Sequence, residues 1–400
     1  MESRSVPMKE TAMNDRTTRL LEVAGAFLKI GTVGFGAPAI WGLIQAEVQE
    51  RRAWLTKERY LEGLALVQTL PGAPAVQMCI FAGHQRAGWW GGLVGGLAFT
   101  VPAFAIMLAL TALYSSYGAV PLMRDALYGL GPVVLGIFVA TAWRLGRNAI
   151  VDRASIAIAI AAAAAVTWLG VAGTLLLAGC AGVAVRHSRK AGLLAALATA
   201  ILIAAERLAE PLLAGLGGIA SAGASRGLWD VGWFFLKVGA VTFGGGLSIL
   251  AFIQDQVVNQ FHWITPQEFI DGLAIGQLTP GPIIMVAAYV GYKVAGVSGA
   301  AVAALAIFLP SFVLMLSIVP VLDRVRRLAW IKAAMKGISP AVIATLAVTI
   351  VQLLPHAAPD AFTGAVLLVT VIVMLAWQRL PVLPLIACGG LAGIVRGAFR

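Results

Sequence analysis

The stretch FLKIGTVGFG at residues 27–36 returns as FLKVGAVTFG at residues 235–244, with seven of ten letters identical at an offset of 208 positions. A second pair follows it: WLTKERYLEGLALVQTLPG at residues 54–72 matches WITPQEFIDGLAIGQLTPG at residues 263–281 at eight of nineteen positions. Each copy keeps a lysine in an apolar run, a glycine break and a proline-glycine break. Because these features are costly in a membrane segment, their repetition indicates two homologous halves.

The composition places the chain in a lipid bilayer. Hydrophobic residues make up 60% and charged residues 12%, about half of the roughly 25% charged residues in soluble proteins. Apolar stretches near the roughly 20 residues needed to cross a bilayer recur along the whole chain. We predict an all-α polytopic membrane protein with about 12–13 membrane segments, some of them broken or re-entrant helical hairpins.

The net charge of +11 does not indicate a nucleic-acid partner, because the basic residues form short clusters between apolar runs. The positive-inside rule explains such clusters. The cysteines Cys79, Cys180 and Cys388 lie singly in apolar segments, without the paired spacing of a metal or redox site. We expect no cofactor and no metal, and the sequence leaves a homodimer open.

Matched intervals of the two halves carry opposite charge. Residues 51–59 include four Lys or Arg, whereas the matching residues 258–268 include none. After the third apolar run the bias reverses, with one arginine in residues 115–124 against four basic residues in residues 323–332. Because Lys and Arg in short loops mark the cytoplasmic side, we predict that the second half is inverted relative to the first.

This pattern divides the chain into four parts. We predict a cytoplasmic N-terminal tail at residues 1–19, a first repeat at 20–205, a linker at 206–228 and a second, inverted repeat at 229–400. The first apolar run carries charged residues and lacks a small-residue cleavage site, so it does not resemble a signal peptide.

The breaks at residues 34–38 and 70–74 predict re-entrant hairpins in the first half. The run containing residues 34–38 lies between two basic segments, so it should enter and leave by one membrane face. The basic clusters that begin at Arg51 and Arg144 should lie on the same side of the membrane, yet three apolar runs separate them. Because an even number of crossings is required, the run broken at residues 70–74 is the candidate for a second hairpin; kinked spanning helices are the alternative. Free backbone groups at membrane depth are tolerated only when they line a polar cavity or pack within protein.

Lys29 and Lys237 occupy equivalent positions beside the glycine breaks. A lysine inside a membrane segment costs about 2.5–3.5 kcal/mol on insertion scales, so its duplication suggests a partner or a role. One interpretation is positive charge for an anion. The other is a lysine that snorkels to the interface or pairs with the equivalent acids Glu22 and Asp230, two helical turns earlier.

The breaks themselves are candidate anion sites, because a restarting helix presents free N–H groups and the positive end of its dipole. Simple kinks between tightly packed helices are the alternative. The candidate substrate-binding residues at the breaks are Gly34, Gly36, Gln68, Pro71, Gly72, Gly244, Gly245, Gly246, Gln277, Pro280, Gly281 and Pro282.

Two further features have a weaker connection to function. The duplicated carboxylates Glu62 and Asp271 could relay protons, although they flank basic or interfacial stretches and helix capping or surface pairing explains them better. A GxSxG sequence at residues 223–227 lies in the Gly/Ala/Ser-rich linker, without the strand that a nucleophile elbow requires. We therefore do not expect an enzyme, and a hydrolase acting through Ser225 is the alternative.

Each half of the chain carries a lysine, an FG dipeptide and a proline-glycine break. This repeated set resembles the two signature stretches of the chromate transporter family in its long, two-domain form. The likeness extends over the chain from about residue 20, with Ala37-Pro38 and Pro71-Gly72-Ala73-Pro74 as departures in the first half. The resemblance implies a bacterial inner-membrane exporter that removes chromate from the cytoplasm and confers resistance, with sulfate as a structural mimic. A sulfate or other oxyanion importer and a non-transporting membrane scaffold or sensor are the alternatives.

Overall fold

The computed structural model describes residues 8–117, 120–216, 227–241, 247–321, 329–377 and 382–399. Regular structure in this part of the chain is entirely helical. The first repeat contains α1 (Met8–Val33), α2 (Ala37–Gln45), α3 (Lys57–Thr69), α4 (Pro74–Tyr117), α5 (Pro121–Ala149), α6 (Arg153–Arg186) and α7 (Arg189–Leu216). The second contains α8 (Leu228–Val241), α9 (Leu247–Gln254), α10 (Pro266–Leu278), α11 (Val286–Ile318), α12 (Ala329–Ala357), α13 (Ala361–Ala376) and α14 (Val382–Ala398).

The order of the helices reproduces the sequence repeat. Helices α1 to α5 correspond to α8 to α12, and α6 corresponds to α13 and α14 together. A π-helical turn follows both α2 and α9, at Ala46–Arg51 and Asp255–Gln260. Helix α1 begins within the predicted tail, and α7 extends into the predicted linker. Five helical segments of the described chain are long and apolar enough to cross a membrane: Pro74–Tyr117, Pro121–Ala149, Arg153–Arg186, Ile283–Ile318 and Lys332–Ala357. The predicted all-α, multi-pass architecture with two repeated halves is confirmed.

Helix α3 and the start of α4 form a hairpin whose two ends lie close together. The Thr56 hydroxyl caps α3 by accepting the Arg59 N–H, and the chain turns after Leu70. The returning segment brings the Arg86 guanidinium within 6.0 Å of the Trp54 ring, beside the point where α3 began. The chain therefore folds back on itself at the break predicted at residues 70–74.

The second repeat builds the same hairpin from α10 and the start of α11. A capping box between Thr265 and Glu268 starts α10. The Lys293 ammonium on the returning segment then pairs with Glu268 at 2.8 Å. As in the first hairpin, residues from the two ends of the segment meet at the open end of the hairpin, which we call its mouth.

Helices α4 and α11 each fold back at a glycine. Gly88 and its counterpart Gly296 adopt φ values of 67° and 64°, which favour residues without a side chain. After the fold in α4, the backbones come so close that a Cβ on Gly83 would lie 2.2 Å from the Gly91 carbonyl oxygen. The glycines at residues 88–96 therefore pack α4 against itself as well as against its neighbours.

The long parts of α4 and α11 run antiparallel to each other. A Cβ on Gly92 would lie 2.9 Å from Leu316, and one on Gly96 would lie 2.6 Å from Phe312. As residue numbers rise along α4, the numbers of the contacting residues fall along α11. The contacts are symmetric about the equivalent residues Thr100 and Phe308. Because two equivalent helices point in opposite directions, the repeats are inverted.

The last hairpin of each repeat packs against the opposite repeat. A Cβ on Gly129 of α5 would lie 2.1 Å from the Gly389 carbonyl oxygen on α14. In the matching contact, a Cβ on Gly337 of α12 would lie 2.8 Å from Gly182 of α6. This exchange joins the two repeats into one helical body, because each repeat completes the packing of the other.

Equivalent aspartate-arginine pairs close these two hairpins. Asp152 caps α6 and pairs with Arg186 at 2.7 Å, although 34 residues separate them. A straight helix of that length would place them about 50 Å apart, so α6 folds back at Gly170, whose φ is 67°. Asp360 and Arg396 form the corresponding pair across α13 and α14.

Candidate functional site

The glycine and proline breaks of opposite repeats meet at the centre of the molecule. The Gly281 N–H donates a hydrogen bond of 2.7 Å to the Gly34 carbonyl oxygen. Gly281 has a φ of 99°, and a Cβ there would lie 2.6 Å from the Ala103 Cβ. Two breaks predicted from sequence therefore form a direct backbone contact between the repeats.

A second contact is related to the first by the pseudo-twofold axis between the repeats. Gly72 has a φ of 120°, and a Cβ there would lie 2.2 Å from the Ser311 hydroxyl. That hydroxyl also accepts the Ala73 N–H at 2.9 Å. Ser311 and Ala103 are equivalent positions near the middle of α11 and α4, so both contacts lie at mid-depth of the long helices.

The helix that restarts after the first break has an uncapped beginning. Gly36 occupies the N-cap of α2 with a φ of 76°, and no side chain caps this helix end. In the second repeat, Pro282 precedes a short 3₁₀ turn at Ile283–Met285 before α11 begins. Such helix ends present N–H groups and positive partial charge, which suit an anion.

Sequence reasoning missed Gln77, which lies beside the first break. Its side chain is fully buried and donates a 2.6 Å hydrogen bond to the Pro71 carbonyl oxygen. Its Oε1 atom has no hydrogen-bond partner among the described residues. A glutamine three residues after Pro74 in an apolar run is the sequence signal that could have identified it, because a buried amide requires partners.

A cavity of about 300 Å³ opens between α2 and α3 of the first repeat. Its volume lies at the lower end of the range for small-molecule sites. Its lining is rich in amide and aromatic side chains: Trp41, Gln45, Gln49, Lys57, Tyr60, Leu61, Leu64 and Gln68. Because glutamine and lysine side chains are costly against lipid, this lining suits a water-filled space.

The two glutamines predicted at the breaks occupy different environments. Gln68 is exposed and lines the cavity. Gln277 is half-buried on α10, where the second repeat has Phe269 and Leu273 at the positions of Tyr60 and Leu64. Pro280 is buried next to Gly281, and Gly244, Gly245 and Gly246 lie outside the described residues.

Both intramembrane lysines have exposed side chains. Lys29 lies on α1 five residues before Gly34, about 7.5 Å along the helix. The Lys237 ammonium lies 5.8 Å from the Trp233 ring, which is itself exposed. This geometry combines a cation–π contact with the arrangement of a snorkelling lysine.

The predicted carboxylates have different partners. Glu22 on α1 pairs with Arg86 at 2.7 Å, in the mouth of the first hairpin. Glu62 pairs with Arg59 at 2.8 Å along α3. Asp230 lies in the first turn of α8, partly buried. Asp271 differs from these three because it is buried and accepts a 2.8 Å hydrogen bond from a tyrosine of the opposite repeat.

The part of the chain that the structure describes contains no group of three or more His, Cys, Asp or Glu side chains that could share a metal ion. Ser225, the serine of the GxSxG sequence, lies outside that part. The polar features of the described interior are backbone breaks, amides, hydroxyls and two buried carboxylates, Glu47 and Asp271.

Comparison with known proteins places the repeat in a family. The family model described as "Chromate transporter" matches twice, at residues 21–185 and 229–394. The "Chromate transport protein" of Cupriavidus metallidurans is 32% identical, over 95% of this chain and 94% of that protein. The "Probable chromate transport protein" of Synechococcus elongatus is 30% identical, over 94% and 95% of the two chains.

A third relative, the "Chromate transport protein" of Pseudomonas aeruginosa, is 30% identical over 92% of this chain and 90% of its own length. No solved structure matches the chain. The family match covers both repeats with their FG and PGP breaks, and three relatives align over nearly their whole length. The chain is a member of the chromate transporter family.

Proposed function

We propose that this protein exports chromate from the bacterial cytoplasm by alternating access and thereby confers chromate resistance. The relatives named as chromate transport proteins and the family match support the substrate. The basic loop at residues 51–59 and the N-terminal tail would face the cytoplasm, with the protein in the inner membrane.

The contact between Gly34 and Gly281 is the observation that carries this proposal. It joins broken segments of two inverted repeats at mid-depth, which is where transporters of this architecture bind their substrates. A rocking movement of one repeat against the other would make and break this contact. Access would then alternate between the two faces.

Chromate suits such a site because it is a tetrahedral dianion that accepts several hydrogen bonds. The uncapped end of α2 behind Gly36 would supply backbone donors. The proposed binding set comprises Gly34, Gly36, Pro71, Gly72, Gly244, Gly245, Gly246, Pro280, Gly281 and Pro282, with Gln68 and Gln277 as neutral donors. Lys29 and Lys237 would attract the dianion through their positive charge from the exposed helix surfaces.

The direction follows from the charge of the substrate. Moving one charge across 100 mV is worth about 2.3 kcal/mol, so a dianion leaving a cell that is negative inside gains about 4.6 kcal/mol. Membrane potential alone can therefore drive export, and the proton motive force can add to it. The cavity beside Lys57 and Gln68 would be the cytoplasmic vestibule of this pathway.

Lysine substitutions in everted vesicles test the proposal. Everted vesicles with the wild-type protein should accumulate chromate, and Lys29→Met and Lys237→Met should abolish accumulation while membrane protein levels stay constant. Lys190→Met, in the exposed segment after α6, is the matched control and should leave uptake unchanged. Unchanged transport by both intramembrane variants would remove the lysines from the mechanism.

Two other functions make different predictions. A sulfate or other oxyanion importer would take up radiolabelled sulfate in right-side-out vesicles in preference to exporting chromate. A membrane scaffold or sensor would show no flux of either anion when purified into liposomes. Flux measurements with both anions in both vesicle orientations separate the three.

A further inference from the structure

Asp271 is a carboxylate buried in the interior of the helical body. Its side chain is 7% exposed. Oδ2 accepts a 2.8 Å hydrogen bond from the Tyr114 hydroxyl, and Oδ1 accepts a 3.0 Å bond from the Gln267 amide. Burying a carboxylate is costly unless a cation pairs with it or it can take up a proton, and both hydrogen-bond donors to Asp271 are neutral groups.

The bond to Tyr114 connects the two repeats. Tyr114 lies near the end of α4 in the first repeat, whereas Asp271 lies on α10 in the second. The rings of Tyr114 and Tyr289 are 5.9 Å apart. The Tyr289 hydroxyl is buried and makes no hydrogen bond of normal geometry with the described residues. Asp271 therefore lies in a tyrosine-lined contact that any relative movement of the repeats would disturb.

The position along α4 places this contact near one membrane face. Tyr114 follows the fold at Gly88 by 26 residues, which corresponds to about 39 Å of helix. Arg86 and Trp54, at the mouth of the first hairpin, lie at the other end of that helix. Under the proposed orientation, Asp271 therefore lies toward the non-cytoplasmic face.

Charged and titratable groups reach Asp271 from three elements. Tyr114 comes from α4, Tyr289 and Lys293 come from α11, and Glu268 lies one turn away on α10 itself. Lys293 pairs with Glu268 at 2.8 Å and lies 5.7 Å from the Tyr114 ring. Helices α5, α12 and α14 also pack on α10, and the charged groups that act most strongly on Asp271 are Glu268 and Lys293.

The first repeat has no equivalent arrangement. Glu62, the counterpart of Asp271, pairs with Arg59 on its own helix. Phe81 contacts Gly63 where Tyr289 contacts Gly272, so the first repeat has an apolar ring in place of the buried hydroxyl. The feature is specific to one repeat, although the backbone around it is duplicated.

We propose that Asp271 is the proton-coupling residue of the transporter, taking up a proton from the non-cytoplasmic side as chromate leaves and releasing it to the cytoplasm. The proposal rests on the proposed transport function. In the first step an O–H bond forms on the carboxylate and its charge falls from −1 to 0. In the return step that bond breaks, the carboxylate is restored, and each cycle moves one proton inward.

Protonation would act on the equilibrium between the two access states. A neutral carboxylic acid costs less to bury than a carboxylate. Taking up a proton while this face is open therefore favours closure of the repeats here, which buries Asp271 against Tyr114 again. A group that binds a proton more tightly in one state shifts the equilibrium toward that state.

Purified protein in liposomes tests this assignment. External pH is held constant so that the ionisation of chromate does not change, the membrane potential is clamped at zero, and the lumen is made about one pH unit more acidic. Such a gradient supports up to about tenfold accumulation per proton exchanged. Wild-type protein should take up chromate several-fold faster with the acid lumen than at symmetric pH.

Asp271→Asn should reduce that acceleration to a ratio near one, because the amide cannot carry the proton. It should keep exchange of labelled for unlabelled chromate at symmetric pH, since the amide oxygen still accepts the Tyr114 hydroxyl. Glu62→Gln, at the equivalent position of the first repeat, is the matched control and should retain the acceleration. Tyr114→Phe should reduce the acceleration without abolishing exchange.

Retained acceleration in Asp271→Asn would overturn the assignment. Loss of chromate exchange in this variant would also overturn it, by placing Asp271 in the substrate pathway. Acceleration of the wild type by an alkaline lumen would contradict exchange of protons for chromate. Absence of any chromate exchange by the wild type would contradict the proposed function itself, and this result is distinct from the others.

Discussion

Gly281 donates its backbone N–H to the carbonyl oxygen of Gly34 across 2.7 Å, and this bond joins the second repeat to the first. The two glycines belong to different breaks, the PGP break of one repeat and the FG break of the other. Each repeat therefore contributes half of the central junction. A duplication of a single-site protein would instead have produced two separate sites.

Gly281→Ala should separate this junction. The new Cβ would lie 2.6 Å from the Ala103 Cβ, and the φ of 99° is unfavourable for alanine. Displacing a binding site by about 1 Å can cost on the order of 100-fold in activity. We expect chromate flux in liposomes to fall at least tenfold, on the order of the cost of such a displacement.

Gly276→Ala is the control within the same hairpin. Nothing lies within 4 Å of a Cβ at Gly276, and alanine is favoured over glycine in a helix by about 1 kcal/mol. Flux should therefore stay near the wild-type value, with equal or higher thermal stability. Equal flux in the two alanine variants would contradict a functional role for the Gly34–Gly281 contact.

Gly72 and Ser311 should be energetically coupled. Gly72→Ala places a Cβ 2.2 Å from the Ser311 hydroxyl, and Ser311→Ala removes the acceptor of the Ala73 N–H, at a cost of about 1 kcal/mol. The double variant relieves the clash with the Ser311 hydroxyl but keeps the 2.6 Å approach to Gln77 Nε2. Its loss of thermal stability should be smaller than the sum of the two single losses. Strictly additive losses would show that the two residues do not meet.

The sequence was sufficient to predict the breaks, the fold-back at residues 70–74 and the inversion. Glycine and proline act on the local backbone, and loop charges report sidedness directly. The fold-backs at Gly88 and Gly170 were not predicted, because a glycine in an apolar run is equally compatible with close helix packing. The exchange of the last hairpins depends on contacts between distant segments, such as Gly129 with Gly389, which no local pattern reveals.

Gln68→Leu should weaken capture of chromate from the cytoplasmic side. The side chain lines the cavity between α2 and α3, and loss of a hydrogen bond to a charged ligand corresponds to about a tenfold change in affinity. We expect KM for uptake into everted vesicles to rise about tenfold with little change in kcat. Gln277→Leu, at the equivalent position of the second repeat, should raise this KM less, because Gln277 is half-buried and does not line the cavity. An equal rise in both variants would contradict a one-sided vestibule.

Asp360→Ala should loosen the hairpin of α13 and α14. It removes the cap of α13, the pair with Arg396 and the hydrogen bond from Tyr128 on α5. Loss of a cap costs about 1 kcal/mol, so the melting temperature in detergent should fall. Asp360→Asn keeps the cap and should destabilise less, and a larger loss for Asn than for Ala would contradict this assignment of roles.

The two aspartate caps also predict that the stability of the protein falls at acid pH. Hydrogen bonds from Thr363 and Tyr128 lower the pKa of Asp360 to about 2, and those from Ser155 and Arg186 lower that of Asp152 to about 2. Because an unfolded aspartate titrates near about 3.9, this stabilisation is complete above about pH 4 and is lost as the pH falls toward about 2. The melting temperature of the Asp152→Asn, Asp360→Asn double variant should not show this fall between pH 5 and 2. A pH profile parallel to that of the wild type would contradict this prediction.

Less of the candidate site than of the fold could be predicted. The glycine and proline positions came from the repeat, but Ser311 and Tyr114 acquire their roles only through contact with the opposite repeat. The sequence treated Glu62 and Asp271 as equivalents, whereas burial and partners make them different. Glu22 was considered as a partner for Lys29, and the structure pairs it with Arg86, which is 64 residues away along the chain.

Chromate flux into liposomes containing only the purified protein, under an imposed membrane potential of either sign, tests the central claim most directly. We expect chromate to move toward the positive side, the movement to reverse with the potential, and Gly281→Ala to reduce the flux at least about tenfold in both directions. Absence of flux at either potential, or flux of the same size through the Gly281→Ala variant, would contradict transport through the junction of the two inverted repeats.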